Sequence, residues 1–227
     1  MTDDPSLPVR SKADIAAFIP AVRTLCASDT QARVDLRDGL GRPRRHWRRM
    51  HRHLVSFLDN DLKSYIRSPL YIVASLIATH PDLVAVTPTD DHGGPSLGTS
   101  LGELAFHPDG LAKGSAQRQL DWFSYRDLDL INRQLPPVIA HIARTGVLFS
   151  WERLTRDLTD WTYRRDDVLN NWYFDFAITV KKHDPTALDE STTNRIHRER
   201  QHKHRCFETH PHRRAYAASV PGVTSEP

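Results

Sequence analysis

The strongest pattern in the chain lies at residues 42–58, which read R-P-R-R-H-W-R-R-M-H-R-H-L-V-S-F-L. Pro43 suits the first turn of a helix, where its missing N–H costs nothing, so we predict one helix that runs into Leu58. Apolar side chains recur at helical spacing and would line the face turned toward the core: Trp47, Met50, Leu54 and Leu58. The same predicted helix therefore contributes both a charged surface and part of the hydrophobic core.

The other face of this predicted helix is built from arginine. Residues 42–53 contain no acidic residue and six arginines: Arg42, Arg44, Arg45, Arg48, Arg49 and Arg52. Like charges three or four positions apart on a helix repel by about 0.2–0.5 kcal/mol per pair. A polyanion would neutralise that repulsion, and guanidinium forks suit phosphate. The alternative is a solvated face whose arginine stems cover apolar surface; we favour a nucleic-acid contact.

Length and composition fit a soluble globular protein of 227 residues, 39% hydrophobic and 26% charged. No apolar run approaches the roughly 18 residues of a membrane span, and the first residues lack the pattern of a signal peptide, so we expect a cytoplasmic protein. The two cysteines, Cys26 and Cys206, do not suggest a disulfide framework. The net charge of +3 comes from the residues after Val180, so the basic signal in the body is local.

Upstream of the basic stretch, the sequence predicts two helices. Residues 1–10 are predicted to be a disordered N-terminus, and residues 11–14 resemble a capping box. Apolar residues follow at helical spacing, with Pro20 predicted as a kink or break. Ser28 or Asp29 can cap the second helix.

Downstream, further helices are predicted. Ser68 and Pro69 suggest a helix start, and the following L-Y-I-V-A-S-L-I-A is apolar nearly all round, which places it in the core. The glycine- and proline-rich residues 82–96 predict a long surface loop. Pro136 and Pro137 interrupt a helical pattern that ends at Gly146, so two helices or one kinked helix fit.

Ser150 and Asp166 can cap the last two helices of the body. No series of alternating runs separated by hairpin turns appears, so the predicted fold class is all-α: a compact helical bundle over residues 11–180, with one body or two small helical lobes.

Residues 181–227 differ in composition and predict a basic, histidine-rich, disordered tail. Imidazole and thiolate groups that suit zinc occur there: His202, His204, Cys206, His210 and His212. Their spacing matches no familiar zinc motif, so we predict neither a metal nor another cofactor.

A series of motifs follows in order along the second half of the helical region. R-Q-L-D-W-F begins at Arg118, D-L at Asp127 and G-V at Gly146. The pattern W-x-x-L-x-x-D-L-x-x-W begins at Trp151, and W-x-x-x-F begins at Trp172. No single motif is specific, but their order and spacing together are.

Together these motifs resemble the CasB family, the small subunit of the type I-E CRISPR surveillance complex, Cascade. Upstream, L-R-D-G at residues 36–39 is similar to the family's Leu-Arg-Arg-Gly, and S-L-G at residues 96–98 is similar to its Ser-Leu-Gly. The resemblance covers roughly residues 11–178 and leaves the tail out.

The resemblance implies a non-catalytic subunit, present as two copies along the belly of a ribonucleoprotein. The implied partners are the guide RNA–protein complex with its backbone and large subunits, a second copy of the chain, and the displaced single-stranded DNA. The implied task is to stabilise the R-loop through backbone contacts, because exchange of duplex for heteroduplex is nearly neutral in free energy. The predicted nucleic-acid-binding residues combine the basic stretch with two positions from the family match: Arg37, Arg42, Arg44, Arg45, Arg48, Arg49, Arg52 and Arg118.

No enzyme motif appears, since the chain lacks a Gly-rich phosphate loop, a nucleophile elbow and an H-E-x-x-H pattern. Asp157 and Asp160, with Arg153 and Arg156, are interpreted as surface ion pairs. Three tryptophans alternate with leucines at helical spacing and are interpreted as core residues rather than base-stacking platforms: Trp151, Trp161 and Trp172.

Two alternatives stay open. The first is a free-standing helical DNA-binding regulator that uses residues 42–52 as a recognition helix, which would require sequence-selective duplex binding. The second is a metal-dependent nuclease or hydrolase assembled from the histidines of the tail and Cys206.

Overall fold

The computed structural model describes residues 14–83, 94–124 and 126–184. Within these ranges the chain forms eight α-helices and no strand, which confirms the all-α prediction. The helices are α1 (Ile15–Ser28), α2 (Thr30–Asp38), α3 (Arg48–Leu54), α4 (Ser64–Thr79), α5 (Leu97–Leu104), α6 (Lys113–Phe123), α7 (Leu128–Thr145) and α8 (Trp151–His183). The predictions for residues 1–10, for most of the 82–96 loop and for the tail beyond Asp184 lie outside the described residues.

Helix α4 forms the centre of the core, as its apolar sequence predicts. Every residue from Ser68 to Ala78 is buried, and α4 contacts α1, α2, α7 and α8. The predicted start at Ser68 and Pro69 is wrong, because the helix already begins at Ser64. The Lys63 carbonyl accepts hydrogen bonds at 3.0 Å from two amides of this added turn. Pro69 costs one backbone donor, and burial of Ile66 in the added turn offsets that cost.

The predicted helix ends are confirmed where a short-range polar contact defines them. The Asp29 carboxylate accepts a 2.9 Å hydrogen bond from the Ala32 amide and caps α2. Gly146 ends α7 with φ 70°. The prolines within helices do not break them, since α1 continues through Pro20 and α7 is one helix through residues 136–137.

Helix α8 folds back on itself at Arg164, whose φ of −134° and ψ of 32° are not helical. The indole nitrogen of Trp172 donates a 2.6 Å hydrogen bond to Asp157, although a straight helix would hold residues 15 positions apart at about 22 Å. We call residues 151–163 the first arm and residues 165–183 the second arm. The prediction of two helices here is therefore confirmed, but the predicted cap is wrong. The break falls at Arg164, and Asp166 lies within the second arm, where it pairs with Arg165 at 3.3 Å.

Helix α5 lies directly against the backbone of the second arm. A Cβ atom on Gly98 would lie 1.9 Å from the carbonyl oxygen of Trp172, so only glycine fits this contact. Ser96 caps α5 by accepting a 3.2 Å hydrogen bond from the Thr99 amide, and its hydroxyl donates to Asp175 at 2.6 Å. The S-L-G motif at residues 96–98 therefore joins these two helices.

Candidate nucleic-acid interface

The basic stretch is not the single helix that its sequence predicts. It forms a 3-10 turn (Arg44–His46), then α3, then a second 3-10 turn (Val55–Phe57). The predicted apolar face is nevertheless buried: Trp47, Met50, Leu54 and Leu58 are each at most 6% exposed.

Contacts of two of these apolar side chains explain the interruption. The Trp47 ring stacks on Tyr71 of α4, with ring centroids 5.3 Å apart and planes 16° apart. Met50 packs over the backbone of Gly39, where a Cβ atom would lie 2.2 Å from its sulfur. Docking of Trp47 and repulsion among neighbouring arginines both disfavour a continuous helix here. The chain turns at Trp47, with φ −79° and ψ 3°, and α3 starts after it.

Three of the eight predicted arginines have carboxylate partners within the chain. Arg42 pairs with Asp38 at 3.2 Å, Arg44 with Asp129 at 3.5 Å, and Arg52 with Asp35. All three side chains remain about half exposed. Their charge is therefore partly neutralised before any ligand binds.

The pair of Arg52 and Asp35 has a structural role. The side chain of Asp35 is only 1% exposed and accepts hydrogen bonds from Arg52 Nε at 3.1 Å, His53 Nε2 at 2.7 Å and Gln31 Nε2 at 3.1 Å. Burial alone would raise the pKa of Asp35, but these hydrogen bonds and the charge of Arg52 outweigh it and hold the pKa at about 2. Arg52 thus fastens α3 to α2.

Four other predicted arginines are exposed without a carboxylate partner. Among the residues that the structure describes, none of the four forms an ion pair: Arg37, Arg45, Arg48 and Arg49. They come from the last turn of α2, the first 3-10 turn and the first turn of α3, and α2 packs against α3. We call these four residues the open arginine cluster. Unneutralised guanidiniums at a surface attract phosphate.

Arg44 also lines a groove of about 690 Å³ between the start of α7 and the break in α8. Its charged lining consists of four arginines and four aspartates: Arg44, Arg126, Arg164, Arg165, Asp127, Asp129, Asp166 and Asp167. Arg164 pairs with Asp167 at 3.1 Å and Arg165 with Asp166 at 3.3 Å. The groove therefore carries no excess positive charge. Three of its arginines were not predicted from the sequence: Arg126, Arg164 and Arg165.

Arg118, the eighth predicted residue, lies on α6 and donates a 2.7 Å hydrogen bond to Ser115. With Asp121, Trp122 and Arg126 it lines a second, smaller pocket of about 200 Å³. Arg126 lines both this pocket and the groove, so it connects Arg118 to the surface that holds Arg44. The sequence next to Trp122 and Arg126 carries no signal of their exposure, so neither residue is predicted as a site residue.

The acidic residues of α8 differ from their predicted arrangement as surface ion pairs. Asp157 is buried between the two arms and pairs with Arg153 at 3.1 Å, whereas Arg156 pairs with Glu152. Burial raises the pKa of Asp157 to about 6, although Arg153 and Trp172 both lower it. The predicted core tryptophans are confirmed as buried: Trp151, Trp161 and Trp172.

In the described ranges no group of three or more His, Cys, Asp or Glu side chains could hold a metal ion. The tail histidines and Cys206 lie outside those ranges. None of the described helices is long and apolar enough to cross a membrane.

Several solved structures share this fold. A chain of a "CRISPR RNA-guided surveillance complex" is 24% identical with a TM-score of 0.63, and the match covers 78% of this chain and 98% of that one. CasB from Thermus thermophilus is 20% identical with a TM-score of 0.57, covering 74% and 99%. CasB from M. ruber is 22% identical with a TM-score of 0.60, covering 78% and 98%.

Among curated proteins, none matches the sequence. The family described as CRISPR-associated protein Cse2 matches residues 32–176, which span α2 to the second arm of α8 and include all eight predicted arginines. This match extends over well more than half of the chain, so the protein belongs to the CRISPR-associated protein Cse2 family.

Proposed function

We propose that the protein is a non-catalytic small subunit of a type I-E CRISPR RNA-guided surveillance complex, in which it stabilises the R-loop. The open arginine cluster is the observation that carries this proposal, because four exposed guanidiniums lack carboxylate partners in the described part of the chain. Membership of the Cse2 family and the fold shared with a chain of a surveillance complex both support it.

The proposed ligand is the phosphate backbone of the displaced DNA strand. Guide pairing reads the target sequence, and the heteroduplex that forms is about as stable as the duplex that it replaces. A few contacts that hold the displaced strand are therefore enough to shift the balance toward the open R-loop. Guanidiniums that bind phosphates need not read base edges, so these contacts serve every target equally.

We further propose that the complex contains two copies of this subunit next to its backbone and large subunits. Two copies side by side would extend the basic surface along the displaced strand. Purification of the tagged chain from its host, followed by native mass spectrometry and sequencing of the bound RNA, tests this directly. A particle with two copies and a repeat-derived RNA is expected. A lone monomer or dimer without RNA, from cells that express the other subunits, would contradict it.

The arginine contacts are tested in the reconstituted complex with a quadruple variant that changes Arg37, Arg45, Arg48 and Arg49 to alanine. Each lost phosphate contact flattens the salt dependence of single-strand binding by about 0.7, so we expect a slope shallower by about 3 per copy. The control changes Lys181 and Lys182 to alanine. These two exposed lysines at the end of α8 line neither the groove nor the smaller pocket, so the slope should stay close to wild type. If the quadruple variant keeps the wild-type slope, the open arginine cluster does not bind the displaced strand.

The alternative of a DNA-binding regulator has less support from the geometry. Helix α3 is only seven residues long, Met50 and Leu54 are buried, and Arg52 is engaged by Asp35. A recognition helix needs several consecutive turns with side chains free to reach base edges. Sequence-selective binding of duplex DNA by the isolated protein would favour the regulator instead.

A further inference from the structure

Trp122 differs from the other tryptophans of the protein. All five lie in the described ranges; four of them are at most 5% exposed, whereas Trp122 on α6 is 52% exposed. The large apolar surface of an indole is normally removed from water, so an exposed tryptophan commonly marks a binding surface.

The surroundings of Trp122 are positively charged. The guanidinium carbon of Arg126 lies 4.9 Å from the ring centroid, and Arg118 lies one helical turn earlier on α6. Together they line the pocket of about 200 Å³. Asp121, the acid of this pocket, accepts a 2.6 Å hydrogen bond from the hydroxyl of Tyr173. The pocket thus holds two guanidiniums and one carboxylate, so its lining carries a net positive charge.

This combination matches the chemistry of an unpaired nucleotide. An aromatic ring stacks on any base, because every base has a π face, and flanking guanidiniums bind the adjacent phosphates. The position also fits a strand, since Arg126 lines the groove that Arg44 of the basic stretch lines as well.

We propose that Trp122, together with Arg118 and Arg126, forms a stacking site for one unpaired base of single-stranded DNA. The proposal rests on the proposed function, because the displaced strand of the R-loop supplies such bases. The site would contact a base, whereas the open arginine cluster contacts only the phosphate backbone. The site should accept all four bases with little preference.

The test compares two probes with the full-length protein: a short oligothymidylate, and an abasic oligonucleotide of the same length and charge. Stacking predicts that oligothymidylate quenches the fluorescence of the exposed indole and binds more tightly than the abasic strand. Trp122→Ala should weaken oligothymidylate binding between about 5-fold and 150-fold and leave abasic binding unchanged. Trp122→Phe should retain most of the affinity, because it keeps an aromatic face.

A matched control is available on the second arm of α8. Phe174 is 65% exposed, so Phe174→Ala removes an exposed aromatic ring without touching the pocket and should leave both affinities at the wild-type value. Thermal unfolding of each variant checks that it is folded. Because both side chains are exposed, neither substitution should lower the melting temperature appreciably.

Failure of this inference and failure of the proposed function give different results. Equal binding of both probes by wild type, with a salt slope that depends on the arginine cluster, overturns the stacking site and leaves the proposed function standing. Loss of oligothymidylate affinity in Trp122→Ala, with no effect of the quadruple arginine variant, supports the stacking site and overturns the arginine contacts. Should Trp122→Ala bind both probes normally but fail to join the complex, the indole is a protein contact and the inference is wrong.

Discussion

The indole N–H of Trp172 donates a 2.6 Å hydrogen bond to Oδ2 of Asp157 and thereby joins the two arms of α8. The other carboxylate oxygen of Asp157 accepts a 3.1 Å hydrogen bond from Arg153 Nε. Burial raises the pKa of this carboxyl from 3.8 to about 6 despite both donors. The folded protein therefore takes up a proton at Asp157 more readily than the unfolded chain does.

This raised pKa predicts that Asp157 lowers stability as the pH increases from about 4 to about 6. In that window the folded state binds more protons than the unfolded state, so the free energy of unfolding falls with rising pH, by about 3 kcal/mol in total. In Asp157→Asn the amide oxygen can still accept the hydrogen bond from Trp172. Because the amide does not titrate, the decrease in the free energy of unfolding between about pH 4 and about pH 6 that Asp157 causes should vanish. Urea unfolding across that pH range, wild type against variant, measures the difference. A difference that does not vary with pH would contradict the assignment.

Asp35 has the opposite effect at lower pH. Its pKa of about 2 in the folded protein lies below the unfolded value of 3.8, so its contribution to stability is present above about pH 4 and is lost as the pH falls toward 2. Compared with wild type, Asp35→Asn should be less stable at neutral pH and should lose less stability on acidification. Urea unfolding of both proteins between about pH 2 and about pH 7 measures this. A difference in their free energies of unfolding that does not change with pH would show that Arg52 and His53 do not stabilise the Asp35 carboxylate.

Arg52 and Arg49 should differ in what they contribute, although both belong to the basic stretch. Arg52→Ala leaves the buried Asp35 with one charge-assisted donor fewer and should cost about 2 kcal/mol of stability. Arg49→Ala removes an exposed guanidinium without an ion-pair partner in the described residues and should change stability by less than about 0.5 kcal/mol. Denaturant unfolding of both variants at neutral pH provides the measurement. Equal stability of the two would refute a structural role for Arg52.

Gly98 and Gly114 form a matched pair for testing the contact between α5 and α8. A Cβ at Gly98 meets the Trp172 backbone at 1.9 Å, so Gly98→Ala must push the helices apart and should cost about 3 kcal/mol or more. At Gly114 the nearest atom is the end of the Arg118 side chain at 3.6 Å, so Gly114→Ala should be neutral or stabilise by up to about 1 kcal/mol. A mild effect at Gly98 would indicate that α5 does not lie this close.

The sequence predicts the features of this fold that depend on neighbouring residues. Asp29 and Ser150 cap helices because a cap needs only an acceptor three residues before a free amide. The buried face of Trp47, Met50 and Leu54 follows from spacing alone. The all-α class, which rests on the same local periodicity, is predicted correctly for this reason.

Features that depend on distant residues are not predictable in this way. Whether an arginine is neutralised depends on partners such as Asp129, which lies 85 positions from Arg44 in the sequence. The exposure of Trp122 and the burial of Asp157 depend likewise on how other helices pack. The eight predicted arginines therefore separate into paired and unpaired groups only when the structure is known.

The central position of α4 has a consequence for the making of the protein on the ribosome. This helix is buried on nearly all sides, yet one of the helices that covers it, α8, is the last of the described helices to be synthesised. Until α8 emerges, the nascent chain must hold an apolar helix partly uncovered, which is the state in which chains aggregate or recruit chaperones. Completion of the core is thus a late event in translation, so a message truncated before α8 should yield insoluble product rather than a smaller functional domain.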